Sequence, residues 1–101
     1  LSKETCQLFT TETSKISRRG LGFDKPDADD PKKGNCAPAA PAEVYGHTGF
    51  TGTCAWVDPM NELVYVFLSN RIYPDVTNRK LNQLHIRERI QGAIYDAMKK
   101  K

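Results

Sequence analysis

The sequence predicts an α+β fold, in which an antiparallel β-sheet carries a C-terminal helix packed on one face. Two segments support this prediction. Residues 62–69 form a run rich in β-branched and aromatic side chains, which is typical of a β-strand. Residues 86–99 place apolar side chains three and four positions apart, the spacing of an amphipathic α-helix. With 101 residues, the chain is predicted to be a single domain over residues 1–101.

The first half of the chain predicts less regular structure. Ser2 fits a helix N-cap, and one or two helical turns are expected within residues 1–11. Residues 18–24 alternate two apolar side chains with two glycines, which indicates a strand packed closely on its glycine side. Residues 25–42 contain four of the six prolines and show no regular period. We therefore expect a long surface loop there, either the rim of an active site or an ordinary exposed loop.

The second half predicts three strands before the helix. Residues 44–47 and 53–57 read as strands joined by a turn with a glycine at every third position. Asp58–Asn61 is a strong turn signal that links the second strand to residues 62–69 in an antiparallel hairpin. Because the apolar run in this last strand is nearly unbroken, both of its faces are expected to be covered, as in a central strand. Residues 70–84 predict a polar connection.

Composition and charge exclude several function classes. The chain is 39% apolar and 27% charged, as expected for a soluble globular protein. Its longest apolar stretch, residues 63–68, is far shorter than the ~20 residues of a membrane-spanning helix. The net charge of +3 is small and the basic residues are not interleaved with aromatic ones, so no nucleic-acid partner is expected. The chain begins with Leu1 rather than Met, which predicts either a processed protein or a piece of a longer one.

The cysteines and histidines do not form a metal-binding pattern. The spacing of Cys6, Cys36 and Cys54 completes no zinc site with His47 or His85, and no metal or cofactor is expected. One disulfide with a spare thiol and three free thiols both fit the sequence. Cys54 lies in a strand pattern, which predicts a small core residue.

Common catalytic motifs are absent from the sequence. It contains no dinucleotide-binding glycine pattern, no phosphate-binding loop, no Gly-x-Ser-x-Gly and no Ser-x-x-Lys. A self-contained serine nucleophile is therefore not expected.

The segment from Gly46 to Gly52, with the sequence GHTGFTG, is the best candidate for chemistry. Glycines allow a substrate backbone to approach a strand edge, and a threonine hydroxyl can bind a carboxylate. A neighbouring imidazole can exchange a proton near neutral pH. The alternative is a histidine in an ordinary hairpin turn.

The order of elements around this segment resembles one known family. The sequence HTGFTG, a strand, an Asp-Pro turn, the strand ELVYVFLSN, a loop and a terminal helix are similar to the last third of the serine β-lactamase-like family. That family includes class C β-lactamases, DD-peptidases and related esterases. Its active-site motifs are Ser-x-x-Lys, Tyr-x-Asn or Ser-x-Asn, and Lys-Thr-Gly or its His-Thr-Gly variant. The resemblance covers about residues 18–99 and implies a partial β-lactamase/transpeptidase-like fold.

The resemblance implies roles for six residues. His47 takes the place of the residue that borders the nucleophile and tunes proton transfer, and Thr48 that of a substrate-carboxylate ligand. Gly49 keeps the strand edge open to the acyl group, and the backbone N–H of Phe50 would be one of two oxyanion donors. Two further residues would lie near the substrate carboxylate. They are Asn70 and Arg71, although Arg71 also fits a solvated surface arginine.

The chain lacks two of the three active-site motifs of the family, and this decides which function is expected of it. Because the serine motif and the Tyr-x-Asn motif are absent, the chain is expected to be the C-terminal segment of a serine hydrolase and to be inactive alone. The remainder of the parent domain would be its partner. The substrate would be a β-lactam, a D-Ala peptide or an ester, and the location the periplasm or cell envelope of a bacterium. The histidine in place of lysine favours a peptidase or esterase. The alternative is a non-catalytic peptide- or glycan-binding module of the cell envelope.

Overall fold

The computed structural model describes residues 1–11, 20–26 and 35–99, and it has the predicted α+β fold with a C-terminal helix. The helices are α1 (Lys3–Thr10), α2 (Lys80–Gln83) and α3 (Ile86–Lys99). The strands are β1 (Tyr45–Thr48), β2 (Cys54–Asp58) and β3 (Leu63–Phe67). None of the helices in these ranges has the length and apolar character needed to cross a bilayer.

The three strands form one antiparallel sheet in the order β1-β2-β3, so β2 is central and β3 lies at an edge. The prediction that the last strand is covered on both faces was wrong. Tyr65 is buried, whereas Val64 and Val66 on the opposite face are 65% and 56% exposed. A continuous apolar run fits a doubly covered strand, but it also fits an edge strand with one bare apolar face.

The hydrophobic core lies between the sheet and α3. Trp56 is 1% exposed, and Cys54 beside it is buried, which confirms its prediction as a core residue. Ile94 of α3 packs against this cluster. All three cysteines are free thiols, and Cys6 is exposed. The buried members of the cluster are Cys36, Val44, Cys54, Trp56 and Tyr65.

Gly46 allows the two strands of the first hairpin to pack tightly. A Cβ atom at this position would overlap the backbone carbonyl oxygen of Ala55 and lie 2.8 Å from the ring of Trp56. Gly46 also exchanges two backbone hydrogen bonds with Asp24, of 2.7 and 3.1 Å. The edge of β1 is thus partly covered at its centre.

The strand predicted at residues 18–24 is not present in the part that the structure describes, and positions 18 and 19 lie outside that part. The Gly20 N–H donates to the Phe23 carbonyl oxygen at 3.0 Å, across a bend at residues 21–23. Gly22 has φ +90°, a left-handed conformation that interrupts an extended chain. Among the described residues 20–24, only Asp24 forms a β-bridge, with Gly46.

The N-terminal helix is present as predicted, and a second short helix was missed. The Ser2 side chain accepts a hydrogen bond from the Thr5 N–H at 3.1 Å, as an N-cap does. In the region predicted as a polar connection, α2 is preceded by Asn78, whose side chain accepts from the Lys80 N–H at 3.1 Å. Four residues are too few to produce a periodic sequence signal.

The segment predicted as a surface loop, residues 25–42, is only partly exposed where the structure describes it, and each described flank contains buried residues. Residues 27–34 lie outside the described part of the chain. Lys25 is 5% exposed, and Cys36 and Ala37 are each 2% exposed. The Ala37 N–H donates to the side-chain oxygen of buried Gln91 at 2.7 Å, so α3 holds this segment against the core.

Candidate functional site

The turn between β1 and β2 contains the predicted glycine-rich segment. The Gly49 N–H donates to the Thr53 carbonyl oxygen at 2.8 Å, and the Gly52 N–H donates to the Gly49 carbonyl oxygen at 3.0 Å. Gly52 has φ +102°, which strongly favours glycine there. We refer to residues 49–53 as the 49–53 turn.

Three donors from other parts of the chain hold the 49–53 turn by its carbonyl oxygens. The backbone N–H of Arg71 donates to Thr51 at 2.8 Å, and the Ser69 hydroxyl donates to Gly52 at 2.9 Å. The Arg87 guanidinium donates to Thr53 at 2.8 Å and is 3.4 Å from the Gly49 oxygen. The carbonyl groups of Thr51, Gly52 and Thr53 therefore point toward the protein.

Three N–H groups of the same turn, those of Phe50, Thr51 and Thr53, have no hydrogen-bond acceptor among the described residues. The N–H groups of Phe50 and Thr51 are adjacent, and they lie between two that are bonded within the turn, those of Gly49 and Gly52. The turn thus offers two adjacent backbone donors to a group outside it.

His47 and Thr48 point to opposite faces of the sheet. Thr48 is half-buried and pairs with Cys54, whose side chain lies on the helix-covered face, whereas His47 is exposed and pairs with Ala55. The His47 Nδ1 atom is 2.6 Å from the Thr48 carbonyl oxygen. Since a carbonyl oxygen can only accept, Nδ1 is the donor in this contact.

The structure brings Arg71 into contact with the predicted segment. Its guanidinium carbon lies 4.4 Å from the centroid of the Phe50 ring, which is 68% exposed. Asn70 is also exposed. The residues on either side of it, Ser69 and Arg71, bind the turn. Two of the six predicted residues, Gly49 and Phe50, therefore lie in the 49–53 turn, and Arg71 binds it. Thr48 and His47 directly precede the turn in β1, and Asn70 is next to Arg71 in the chain.

Sequence reasoning missed Arg87, which joins the turn to α3. Its second guanidinium nitrogen donates to the Asn82 side-chain oxygen at 3.0 Å. The sequence carries no local signal for this role, since Thr53 lies 34 residues before Arg87 in the chain.

The other end of β2 holds a buried carboxylate. Asp58 is 2% exposed and accepts hydrogen bonds from the Met60 N–H, the Asn61 N–H, the Asn61 amide and the Tyr95 hydroxyl, at 2.6 to 3.1 Å. Burial acts to raise the pKa of Asp58, but these hydrogen bonds outweigh it and lower the pKa. Burial and the bond to Asp58 raise the pKa of Tyr95.

Cys54 is not a candidate nucleophile. Burial raises the pKa of its thiol, so the reactive thiolate form is disfavoured. Within residues 1–11, 20–26 and 35–99, no three His, Cys, Asp or Glu side chains are grouped so that they could hold a metal ion.

A cavity of about 840 Å³ lies away from the 49–53 turn. It is formed between α1 and the segment that follows residue 35, and its lining includes Cys6, Lys25, Cys36, Tyr45 and Met60. None of the six predicted site residues lines it. The cavity and the predicted site are therefore separate features.

Comparison with known proteins identifies the family. The Beta-lactamase family model matches residues 2–88. A protein of Escherichia coli O157:H7 named "Putative D-alanyl-D-alanine carboxypeptidase" is 33% identical over 81 residues, covering 80% of this chain and 18% of that protein. A protein of the same name from Escherichia coli K12 is 33% identical over 79 residues, covering 78% of this chain and 18% of that protein. One from Salmonella paratyphi B is 46% identical over 43 residues, covering 43% of this chain and 10% of that protein.

The match covers most of this chain but less than one fifth of the first two relatives. No solved structure matches it. The family match extends across α1, all three strands and the beginning of α3. The chain therefore belongs to the beta-lactamase family of serine hydrolases.

Proposed function

We propose that this chain supplies one wall of the acyl-transfer site of a beta-lactamase-family serine hydrolase in the bacterial cell envelope. The observation that carries the proposal is the 49–53 turn, whose carbonyl oxygens are bound to the protein while the N–H groups of Phe50 and Thr51 are left for an external acceptor. A backbone donor fixed in this way can stabilise the negative charge that develops on an acyl oxygen. The Phe50 N–H is the oxyanion donor in this proposal.

The other residues of the site take complementary roles. His47 borders the reacting group, where its imidazole takes part in proton transfer. Gly49 leaves the strand edge open to the acyl chain. Asn70 and Arg71 contact a carboxylate of the substrate. For Thr48 to join them, its side chain has to turn away from the helix-covered face, on which it pairs with Cys54. The substrate class is then a D-Ala peptide, a β-lactam or an ester with a nearby carboxylate.

The nucleophile of the proposed reaction has to come from outside these residues, because the chain has no Ser-x-x-Lys. We propose that the remainder of the parent hydrolase domain is the partner that supplies it. The bare sheet face with Val64 and Val66 supports this, since an exposed apolar sheet face is normally covered by another layer.

A chimera tests the proposed function. The segment of the Escherichia coli K12 relative that matches this chain is replaced by the chain itself, and release of D-Ala from a D-Ala-D-Ala peptide and hydrolysis of nitrocefin and p-nitrophenyl esters are measured. We expect turnover of at least one substrate. A folded chimera that turns over none of them, while the unmodified relative is active, would contradict the proposal.

The oxyanion role has its own matched pair of variants. Phe50 is the second residue of a β-turn, where proline is well tolerated, so Phe50→Pro removes the N–H with little disturbance. In the chimera, we expect this change to lower kcat about 10²–10³-fold, whereas Phe50→Ala retains the N–H and loses much less. Equal losses in the two variants would argue against a backbone oxyanion donor at this position.

The isolated 101-residue chain is expected to be inactive. It should neither hydrolyse nitrocefin nor become labelled by a fluorescent penicillin, because it lacks the serine motif. Covalent labelling by the penicillin would overturn this expectation and would place the nucleophile within the chain.

The cavity beside α1 favours a second candidate, a non-catalytic peptide- or glycan-binding module. Titration of cell-wall peptides and glycans into the isolated chain, followed by NMR, separates the two. Saturable shifts at cavity residues such as Tyr45 and Met60, with none at the 49–53 turn, would favour the binding module.

A further inference from the structure

The two adjacent unused N–H groups of the turn, those of Phe50 and Thr51, belong to peptide groups that are held differently. The carbonyl oxygen of Gly49 shares a peptide group with the Phe50 N–H. It accepts from the Gly52 N–H at 3.0 Å and lies 3.4 Å from a guanidinium nitrogen of Arg87. The carbonyl oxygen of Phe50 shares a peptide group with the Thr51 N–H, and it accepts no hydrogen bond within the described residues. The first peptide group is therefore held at its oxygen, and the second is not.

The geometry of the peptide group decides what this difference means for the two donors. A trans peptide group is planar, and its C=O and N–H bonds point in opposite directions. Since the bond between Gly49 and Phe50 is trans, donors that hold the Gly49 oxygen against the protein direct the Phe50 N–H away from it. The group between Phe50 and Thr51 is the central one of the β-turn, and its rotation, which distinguishes type I from type II turns, breaks no hydrogen bond here. Of the two donors, that of Phe50 has the fixed direction.

Arg87 is anchored so that it can hold the Gly49 oxygen in place. Its carbonyl oxygen accepts at 3.0 Å from the hydroxyl of Tyr65, which is a buried core residue. One guanidinium nitrogen donates to the Asn82 side chain at 3.0 Å, and the other donates to the Thr53 carbonyl oxygen at 2.8 Å. The backbone and the charged end of the side chain are thus both fixed. A cation beside a carbonyl oxygen also polarises the amide, which makes the N–H of that amide a stronger donor.

We propose that Arg87 is a positioning residue for acyl transfer, which acts through the peptide group between Gly49 and Phe50 to direct and strengthen the Phe50 N–H. This inference rests on the proposed function in taking the Phe50 N–H as the oxyanion donor. It adds a role in the reaction for a residue of α3, and it explains why the neighbouring Thr51 N–H, whose peptide group is not held at its oxygen, is not the equivalent of the Phe50 N–H.

The first test measures the motion of single N–H bonds in the full 101-residue chain by ¹⁵N relaxation. We expect an order parameter of about 0.85 at Phe50, typical of rigid backbone, and a lower value at Thr51. Arg87→Gln should lower the value at Phe50 toward that at Thr51. It should leave the value at Asn61 unchanged, because that N–H is bound to Asp58 in the other turn. Equal values at Phe50 and Thr51 in the unmodified chain, or an unchanged value at Phe50 in Arg87→Gln, would overturn the inference.

The second test is a double-mutant cycle in the chimera. Arg87→Gln should lower kcat on the order of tenfold with KM unchanged, a smaller loss than that of the donor itself in Phe50→Pro. In the double variant, kcat should equal that of Phe50→Pro alone, because no N–H is left for Arg87 to direct. Losses that multiply in the double variant would show that Arg87 acts elsewhere and would overturn the inference. Arg89→Gln changes an exposed arginine of the same helix and should leave kcat unchanged.

The two tests separate this inference from the proposed function. An active chimera whose kcat is unaffected by Arg87→Gln would reject the positioning role and retain the proposed function. A folded, inactive chimera would reject the proposed function and with it the role of Arg87 in the reaction. A loss of order at Phe50 in Arg87→Gln would then still show that Arg87 fixes the direction of this N–H.

Discussion

The two turns that flank β2 are stabilised in opposite ways. At the end of β2, the turn at residues 58–61 is closed from inside by the buried Asp58 carboxylate, which accepts four hydrogen bonds from groups in the turn and from Tyr95. At the start of β2, the 49–53 turn is held from outside, through carbonyl oxygens that accept from Ser69, Arg71 and Arg87.

This difference separates a structural turn from one that can bind a ligand. A carboxylate uses up the N–H groups of its turn, so the turn at residues 58–61 gains stability but has fewer donors to offer. Donors that bind the carbonyl oxygens leave N–H groups unused, as at Phe50 and Thr51. Unsatisfied but exposed N–H groups cost little in water, and they are available when a substrate displaces that water.

Removal of the buried carboxylate should have the largest effect on stability. Asp58→Ala leaves the Tyr95 hydroxyl and the turn N–H groups without their acceptor, and we expect a loss of about 2–4 kcal/mol in the free energy of unfolding, measured with urea. Tyr95→Phe removes one of the four hydrogen bonds and should cost about 1 kcal/mol. If Asp58→Ala lowers the free energy of unfolding no more than Tyr95→Phe does, the turn at residues 58–61 is not closed by the Asp58 carboxylate.

Acid should weaken the same turn by protonating Asp58. Because the folded-state pKa of Asp58 is lowered, its contribution is present above the unfolded-state pKa of about 4 and is lost as the pH falls through the lower folded-state value. Urea unfolding from about pH 6 to about pH 3 should therefore show a falling stability.

Asp58→Asn provides the control for this pH dependence, since it retains the side-chain volume without the titration. The fall in stability should be smaller in that variant. A small part of the acid dependence should remain in Asp58→Asn because of Asp75, whose pKa is lowered by hydrogen bonds from Thr77. An unchanged acid dependence in Asp58→Asn would show that the buried carboxylate does not contribute to it.

The 49–53 turn should respond locally to the loss of Arg87. Arg87→Gln removes the donor to Thr53 and should cost about 1–2 kcal/mol, with faster amide hydrogen exchange at Gly49 and Gly52 than at Asn61. Arg89, which is exposed on the same helix, supplies the control, and Arg89→Gln should change neither quantity. Equal acceleration of exchange at both turns would mean that Arg87 acts on the whole fold.

The sequence predicted the parts of this comparison that depend on local patterns. The amphipathic period of α3, the strand propensity of β3 and the Asp-Pro turn each reflect neighbouring residues, and all are present in the structure. The HTG segment was singled out through its resemblance to the third motif of the family, because the tripeptide alone is common by chance, and its role in a site stays a prediction.

The missed features depend on contacts between distant parts of the chain. Arg87 and Thr53 are 34 residues apart, and Tyr95 and Asp58 are 37 apart, so no local period signals these hydrogen bonds. The bare face of β3 was missed for a related reason. The exposure of Val64 depends on which layers surround the sheet, and strand propensity is the same for a covered and an uncovered valine.

The smallest effect expected from this comparison is that of Ser69, which is one of the three donors to the 49–53 turn. Ser69→Ala removes the 2.9 Å hydrogen bond to the Gly52 carbonyl oxygen and should cost about 0.5–1 kcal/mol in the free energy of unfolding, because the turn keeps its bonds to Arg71 and Arg87. Asn70→Ala is the matched control, and since Asn70 is exposed it should leave stability within about 0.5 kcal/mol of the unmodified chain. A loss in Ser69→Ala as large as that in Asp58→Ala would show that the 49–53 turn is as tightly coupled to the core as the other turn, and the contrast between the two would not hold.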